Sequence, residues 1–342
     1  MKTGYIFIIL IAAILTSCET TIDFNGKDTD PLLVINSIIS PDSAIKVHVS
    51  ESRFFLDDDS QFVNLNNATV KLLVNDVEYE QLKPVQNGYY LGTYVPKPGD
   101  RLKIIAFNSQ FHEVSAITEI ATPNPVISVD TSTVILEKTA FLSFTYGQTI
   151  PDTIGYSINN QFKMNVNFND PANVRNYYRI GLKMKVWLSN GTTQTGKYYF
   201  NSDDVVFGNT SESGIFDNTG GNYYHVFSDD LFDGKTYSLK LSSNFYNYVY
   251  FNNTPPKAGN LYEPVTVIRN ELIVELQSIS KSYYLYLKTR DASSTFIDFF
   301  SEPIQIFSNI KGGIGIFGSY NTSSYKIGIP LSMNQTYYYY PE

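Results

Sequence analysis

Gln161-Phe162-Lys163-Met164-Asn165-Val166-Asn167-Phe168 is the stretch that decides the fold, because large apolar residues alternate strictly with polar ones along it. Successive side chains of a β-strand point to opposite faces of a sheet, so a period of two predicts a strand with one buried face. Asn169-Asp170-Pro171 follows at once and is typical of a turn. The chain is therefore expected to be built from short strands that end in tight turns.

The same alternation recurs on both sides of this stretch. Its apolar positions are Ile45, Val47 and Val49; Val70, Leu72 and Val74; Leu102, Ile104 and Ala106; Leu182, Met184, Val186 and Leu188; Tyr237, Leu239 and Leu241; and Leu272, Val274 and Leu276. Tight-turn pairs punctuate the pattern, namely Asn75-Asp76, Asn87-Gly88, Asn190-Gly191 and Asp233-Gly234. With 27 Tyr and 23 Phe, the composition also favours strands. These features predict an all-β protein.

Thr122-Pro123-Asn124-Pro125 interrupts the strand pattern, because two prolines cannot continue a central strand. Residues 31–122 are predicted to form an N-terminal β-sandwich domain of about seven strands. Residues 126–342 are predicted to form a larger β-rich, sandwich-like domain. The chain is long enough for two cores.

One short helix and one long loop are expected within the second domain. Ser280 can cap the helix, and Ile279, Tyr283 and Leu287 lie at four-residue spacing on one of its faces. Residues 201–222 are rich in Ser, Asp, Asn, Thr and Gly, a composition that predicts a long exposed loop.

Leu15-Thr16-Ser17-Cys18 places the only cysteine of the chain behind a short apolar segment and Lys2. This pattern is typical of a bacterial lipoprotein signal, so residues 1–17 are predicted to be removed and residues 18–30 to form a polar, lipidated tether. Acyl chains on Cys18 would hold the protein on a membrane. The alternative, a transmembrane helix, needs about 20 apolar residues, and the apolar run here is shorter.

The charge balance argues against one class of partner. The chain carries 25 basic and 33 acidic residues, for a formal net charge of −8, and its cations form no basic stripe. Nucleic acid is therefore not an expected partner. A single cysteine also leaves no internal disulfide to stabilise the fold.

Gly313-Ile314-Gly315-Ile316-Phe317-Gly318 satisfies the G-x-G-x-x-G fingerprint of dinucleotide-binding proteins. That motif needs a helix after it so that pyrophosphate meets the helix N-terminus. Here polar residues and then a strand-like run follow. The glycines are therefore predicted to let the backbone pass close to a sheet, and no nucleotide cofactor is expected.

Acidic and histidine residues give no recognisable site. Asp57-Asp58-Asp59, Asp203-Asp204 and Asp229-Asp230 could offer oxygen ligands to Ca²⁺, yet none has the spacing of a calcium loop, so solvated loop acids are expected. The three histidines stand alone, and His48 falls on the polar face of its strand. No metal site, cofactor or catalytic residue is predicted, and the chain is not expected to be an enzyme. A pair of glycosidase carboxylates is not excluded, because such a pair is defined by its separation in space and cannot be recognised from the sequence.

Aromatic side chains are the remaining candidates for ligand binding, because tyrosine and tryptophan offer a flat apolar face with a polar edge. Trp187, the only tryptophan, alternates with Val186 and Leu188 and is expected to be exposed. Tyr223-Tyr224 lie beside the predicted loop, and Tyr246 and Tyr248 share one strand face. The alternative is that these tyrosines simply cover a sheet face.

Several segments together resemble one lipoprotein family, catalogued as domain of unknown function 4249. They are the Cys18 signal with the acidic stretch after it, Gly88-Tyr89-Tyr90, Pro98-Gly99, Ser280, Tyr283-Tyr284-Leu285-Tyr286 and, above all, residues 302–318. The resemblance spans nearly the whole mature chain. It implies an outer-membrane lipoprotein of Gram-negative bacteria that accompanies a TonB-dependent receptor. It also implies an immunoglobulin-like or transthyretin-like first domain, and it assigns no catalytic residue.

The leading hypothesis is a non-catalytic outer-membrane lipoprotein that captures or docks a nutrient or protein partner for such a receptor. The receptor link comes from the resemblance alone, and any small-molecule ligand stays unidentified. A second hypothesis is a structural lipoprotein that scaffolds an envelope assembly. An envelope hydrolase is the third, and it lacks a catalytic pattern.

Overall fold

The computed structural model describes residues 30–53, 63–143, 147, 149–208, 222–250, 265–294, 305–329 and 336–337. The strands in the first half of the chain are β1 Leu33–Ile39, β2 Lys46–Glu51, β3 Thr69–Val74, β4 Val77–Gln81, β5 Lys83–Pro84, β6 Tyr89–Leu91, β7 Arg101–Phe107, β8 Val114–Glu119, β9 Val126–Ser143 and β10 Asp152–Asn169. Those in the second half are β11 Tyr177–Leu188, β12 Thr193–Lys197, β13 Asn201–Ser202, β14 Val226–Ser228, β15 Thr236–Tyr250, β16 Val265–Ile279, β17 Ile314–Ile329 and β18 Thr336–Tyr337. The α-helix of these ranges is α1, Lys281–Ser294, and Val205–Phe207 form a short 3₁₀ turn.

The strands form three sheets. The largest has ten strands in the order β12-β11-β16-β17-β1-β2-β6-β5, with β14 paired to β11 and β18 to β16. The two four-stranded sheets have the orders β13-β15-β10-β9 and β4-β3-β7-β8. The predicted all-β, sandwich-like fold with a single helix is thus confirmed.

Two hydrophobic cores lie among these sheets, and predicted apolar positions contribute to both. The first contains predicted apolar residues of β2, β3 and β7, among them Val47 and Leu72. The second contains predicted apolar residues of β10, β11, β15 and β16, among them Val166 and Val274. Four of the predicted positions are half-buried rather than buried, namely Val74, Met184, Val186 and Tyr237.

Strand β17 joins the two cores. It pairs in parallel with β1, from Val34 opposite Ile314 to Ile39 opposite Ser319, and in antiparallel with β16. Phe317 belongs to the first core, whereas the C-terminal half of β17 packs on the second. The described residues from 32 to 52 and from 63 onward therefore fall within one compact unit. The domain bounds 31–122 and 126–342 stay a prediction.

The glycines at the start of β17 allow a close backbone approach, as predicted. Gly315 has φ of 119°, and a Cβ there would lie 2.1 Å from the carbonyl oxygen of Ile35. A Cβ at Gly313 would lie 2.4 Å from the Leu33 carbonyl oxygen. The neighbour is the backbone of β1, and a strand rather than a helix follows the motif. The arrangement is that of a sheet, not of a dinucleotide-binding turn.

Helix α1 begins and packs as the sequence predicts. The Ser280 hydroxyl accepts hydrogen bonds from the Tyr283 N–H at 3.3 Å and from the Ser319 N–H at 3.0 Å. Ile279, Tyr283 and Leu287 are buried and form a small third cluster. Ser280 therefore caps the helix and also fixes it to β17.

Candidate functional site

The clearest candidate site is a tight turn that displays two of the predicted tyrosines. Its ends are joined by the His225 N–H, which donates to the Asn222 carbonyl at 3.0 Å. The buried Asn222 amide accepts from the Val226 N–H at 2.9 Å and donates to the Val226 carbonyl at 2.6 Å. Tyr223 and Tyr224 occupy the central positions. Because the side chain of Asn222 fastens both ends, the turn presents the two rings in a defined geometry.

Two charged side chains hold the backbone of this turn from opposite elements. The Tyr223 N–H donates to Asp291 Oδ2 at 3.0 Å, and Arg179 Nε donates to the Tyr224 carbonyl at 3.2 Å. Asp291 lies on α1 and Arg179 on β11. Asp291 is buried, and this burial raises its pKa. The turn is thereby fixed to the helix and to the large sheet.

The surface at the turn is made of tyrosines and cations, and we call it the tyrosine patch: Lys197, Tyr199, Tyr223, Tyr224 and Arg290. Lys197 Nζ lies 5.0 Å from the centre of the Tyr199 ring and 5.2 Å from that of Tyr223. The Arg290 guanidinium carbon lies 5.8 Å from the centre of the Tyr224 ring. These distances allow cation–π attraction. Tyr199 is 72% exposed and Tyr223 is 65% exposed, so two large aromatic surfaces face solvent.

His225, the last residue of the turn, turns its ring toward the second core. The ring centre lies 4.2 Å from that of Phe200 and 6.3 Å from that of Phe207. Burial, together with the positive charges of Lys197 and Arg179, lowers the pKa of His225 to about 4. The imidazole is therefore uncharged at neutral pH, which suits a residue that supports the turn by packing.

The structure brings together two of the five predicted binding residues, Tyr223 and Tyr224. Trp187 is half-buried rather than exposed, because the Arg269 guanidinium and the Lys185 ammonium lie 4.4 and 4.8 Å from its ring centre. Tyr246 is exposed but lies on β15, in the β13-β15-β10-β9 sheet, and not on the turn that carries Tyr223 and Tyr224. The side chain of Tyr248 lies outside the described residues. Ligand binding by any of these residues stays a prediction.

The sequence does not reveal the other members of the patch and its supports. Asp291 and Tyr223 meet although they are 68 residues apart along the chain. Lys197, Tyr199 and Arg179 come from a third stretch of sequence. No local pattern links these stretches, because strand pairing and helix docking bring them together.

In two of the acidic pairs one member is buried rather than solvated, which corrects the prediction for Asp204 and Asp229, whereas Asp203 and Asp230 are exposed. Asp204 is buried and accepts hydrogen bonds from the Tyr237 hydroxyl and from the Lys240 N–H. Asp229 is buried and accepts from the Asn176 N–H at 2.6 Å. These carboxylates fasten turns to strands. The remaining predicted group, residues 57–59, lies outside the described residues.

Asp229 also belongs to an acidic cluster that the sequence does not predict. Its carboxylate, with those of Asp170 and Asp233, offers oxygens that lie within 4.8 Å of one another. Burial raises the pKa of Asp229, and the neighbouring carboxylates add to this effect. Arg175 Nε lies 3.5 Å from Asp229 Oδ1, and the Tyr178 hydroxyl donates to Asp170. A guanidinium thus supplies positive charge to this cluster.

The predicted loop over residues 201–222 is only partly described. Residues 201–208 and Asn222 are described, whereas residues 209–221 lie outside. Phe207 and Asn222 are buried, whereas Asn201, Asp203 and Val205 are exposed. The described ends of the predicted loop therefore combine buried and exposed residues.

A cleft of about 930 Å³ lies beside α1 and is lined from both halves of the chain. Residues 117–124 line it from the first half, and Tyr177, Tyr178 and Ser280 from the second. The charged residues of its lining are Arg101, Glu119, Arg175 and Lys281. None of the five predicted binding residues lines it.

The predicted signal, Cys18 and the tether lie outside the described residues, except for Asp30. Within the described ranges, no helix has both the length and the apolar character that crossing a bilayer requires.

Solved structures with some likeness to the chain are distant. One is a membrane-anchored protein from Corynebacterium diphtheriae, at 8% identity and a TM-score of 0.19, with 74% of this chain and 56% of that chain covered. Another comes from work on promiscuous carbohydrate-binding modules of the β-sandwich superfamily, at 10% identity and a TM-score of 0.17, with 66% and 98% covered. Likenesses of this size carry no argument here. No curated protein matches the chain.

The sequence profile of one family covers most of the chain. It is described as "Domain of unknown function (DUF4249)" and matches residues 19–326, from just after Cys18 into β17. This range includes the tyrosine patch, both hydrophobic cores and helix α1. The resemblance to this family is confirmed, and the chain belongs to the DUF4249 family.

Proposed function

We propose that the protein is a lipid-anchored, non-catalytic accessory of the outer membrane that uses the tyrosine patch to dock a partner for a TonB-dependent receptor. The observation that carries the proposal is the display of two largely exposed tyrosines, Tyr223 on a turn fastened by buried polar groups and Tyr199 beside it. Tyrosine gives a large contact area at low cost in conformational entropy. A pre-ordered aromatic surface of this kind favours protein docking.

The membrane anchor of this proposal comes from the sequence around Cys18. We expect Cys18→Ala to release the protein from membranes, because the acyl chains would be lost. Fractionation after a carbonate wash measures this, with the wild-type protein as control. Quantitative retention of Cys18→Ala in the membrane pellet would show that the anchor lies elsewhere.

The docking role is tested by capture of TonB-dependent receptors from the native outer membrane, with the full chain solubilised in detergent as bait. We expect Tyr199→Ala/Tyr223→Ala to reduce capture about tenfold, since exposed aromatic anchors carry much of the energy of such contacts. Tyr79→Ala is the matched control, because Tyr79 is also exposed but lies on β4, away from the patch in sequence, and is not a candidate binding residue. Capture that is unchanged in the double variant, or lost equally in the control, would reject the patch as the docking surface.

A second candidate function, envelope scaffolding by self-assembly, is favoured by strand β9. In the described part of the chain, β9 lies at the outer edge of its sheet and exposes Val134, Ile135, Leu136 and Leu142. Long apolar edge strands readily pair with other chains. Its bulges at Ile127 and Leu136 and the charges of residues 137 and 138 oppose such pairing.

Sedimentation of the detergent-solubilised chain over a range of concentrations separates the two functions. Self-association that Ile135→Lys abolishes would favour the scaffold. A monomer at every concentration would favour the docking accessory.

A further inference from the structure

We propose that the segment docked by the tyrosine patch is an acidic peptide, whose carboxylates contact Lys197 and Arg290 while its backbone and side chains lie on the tyrosine rings. This inference rests on the proposed docking function and names the chemistry of the partner.

The two cations of the tyrosine patch, Lys197 and Arg290, can each attract a carboxylate of a partner. Lys197 and Arg290 are exposed and lie near tyrosine rings. The ion pairs of the described ranges all involve other residues. Cation–π contact orients a cation without neutralising it. Both side chains are therefore available to an incoming carboxylate.

The carboxylate that binds the backbone of the turn does not cancel this charge at the surface. Asp291 is buried and is used to hold the Tyr223 N–H. Arg179 adds a further positive charge behind the turn through its contact with the Tyr224 carbonyl. The positive charges of Lys197 and Arg179 also lower the pKa of His225, as expected where cations gather.

This local charge differs in sign from the chain as a whole, which carries a net charge of −8. A cationic site on an acidic protein steers an acidic partner to one place, because the rest of the surface repels it. An uncharged oligosaccharide would stack on the tyrosine rings but would have no net charge for the cations to attract. Charge complementarity thus favours an acidic peptide.

The probe is a fluorescein-labelled peptide of alternating Glu and Gly, with a Gln–Gly peptide of equal length as its neutral match. Both are titrated by anisotropy against the full chain in detergent. We expect the Glu peptide to bind at least about tenfold more tightly at low salt, and to weaken as salt rises. Equal affinity for the two peptides would overturn the inference.

Variants locate the binding. Lys197→Gln/Arg290→Gln is expected to weaken binding of the Glu peptide about tenfold. Lys163→Gln/Lys240→Gln, at exposed positions of β10 and β15, changes the net charge equally and is expected to leave binding intact. Equal losses in the two double variants would mean that only net charge matters, which contradicts a defined site. Preferential binding to vesicles that contain phosphatidylglycerol, without binding of the Glu peptide, would also reject the acidic peptide.

Receptor capture separates this inference from the docking function. If Tyr199→Ala/Tyr223→Ala abolishes capture but Lys197→Gln/Arg290→Gln does not, docking stands and the acidic partner is rejected. If the Glu peptide binds through Lys197 and Arg290 but no receptor is captured, the acidic-peptide site stands and the receptor function is rejected.

Discussion

Some single residues in this structure have roles that the neighbouring sequence does not predict. Gly315 lies against the backbone of β1, and Asp229, in an acidic pair of the sequence, is buried at a turn. Glycine at a close approach can be anticipated from its motif, because the context excludes a helix. The burial of Asp229 cannot be anticipated from the sequence, since it depends on turns that are remote from each other along the chain.

Gly315→Ala should lower the free energy of unfolding by more than ~1 kcal/mol, because Gly315 has a positive φ and a Cβ would meet the Ile35 carbonyl. Urea unfolding measures the change. Gly328→Ala is the matched control on the same strand, since a Cβ there meets nothing within 4 Å. Equal stability of the two variants would contradict the close approach.

His225 should make stability depend on pH. Its pKa is about 4 in the folded state against 6.5 for the free side chain, so the unfolded chain takes up the proton first as pH falls. The contribution of His225 to stability is therefore complete above about pH 6.5 and is lost progressively down to about pH 4.

Thermal unfolding at several pH values checks this expectation. His225→Asn should flatten the dependence between these limits, and asparagine tolerates the positive φ of this position. His48→Asn is the control and should keep the slope. An unchanged slope in His225→Asn would assign the effect to other groups.

At the scale of elements, the sequence predicts what each segment is, but not what it pairs with. The period of two locates the buried faces of β10 and β16 because burial on one face is a local property. The cap and apolar stripe of α1 are equally local. The docking of α1 against the tyrosine turn joins segments that are distant in sequence, and no pattern of apolar residues predicts it.

Ser280→Ala should destabilise the protein by about 1–2 kcal/mol, because the hydroxyl accepts hydrogen bonds from both the Tyr283 and the Ser319 N–H groups. Ser293→Ala, near the end of the same helix, should change stability by less than about 0.5 kcal/mol. Chemical denaturation measures both. A Ser280→Ala variant as stable as the control would show that water replaces the cap.

At the scale of the whole molecule, the strands change from the first hydrophobic core to the second near the predicted division at residues 122–125. The largest sheet, however, contains strands from both sides of this division. The first core includes Ile310 and Phe317 from the C-terminal part of the chain. Strand order across β17 and β1 is a non-local property, so the sequence pattern predicts two cores without predicting the strand that they share.

Residues 31–122 alone should show poor amide dispersion by NMR, because they lack β17 and the two apolar residues that the C-terminal region supplies. A fusion of residues 31–122 to residues 305–329 through a flexible linker should recover dispersed signals. Residues 126–342 should keep the tyrosine patch, which lies wholly within them. A well-dispersed spectrum of residues 31–122 alone would instead support an autonomous first domain.

The pairing of β1 with β17 also dictates an order of events during synthesis. Val34 leaves the ribosome early, but its partner Ile314 is added only when the chain is almost complete. Contacts between such distant residues slow folding, because a long loop must close before they form. Until then one edge of β1 is open to pairing with other chains. Chaperones that keep the nascent chain unfolded until Ile314 is added should therefore raise the yield of native protein.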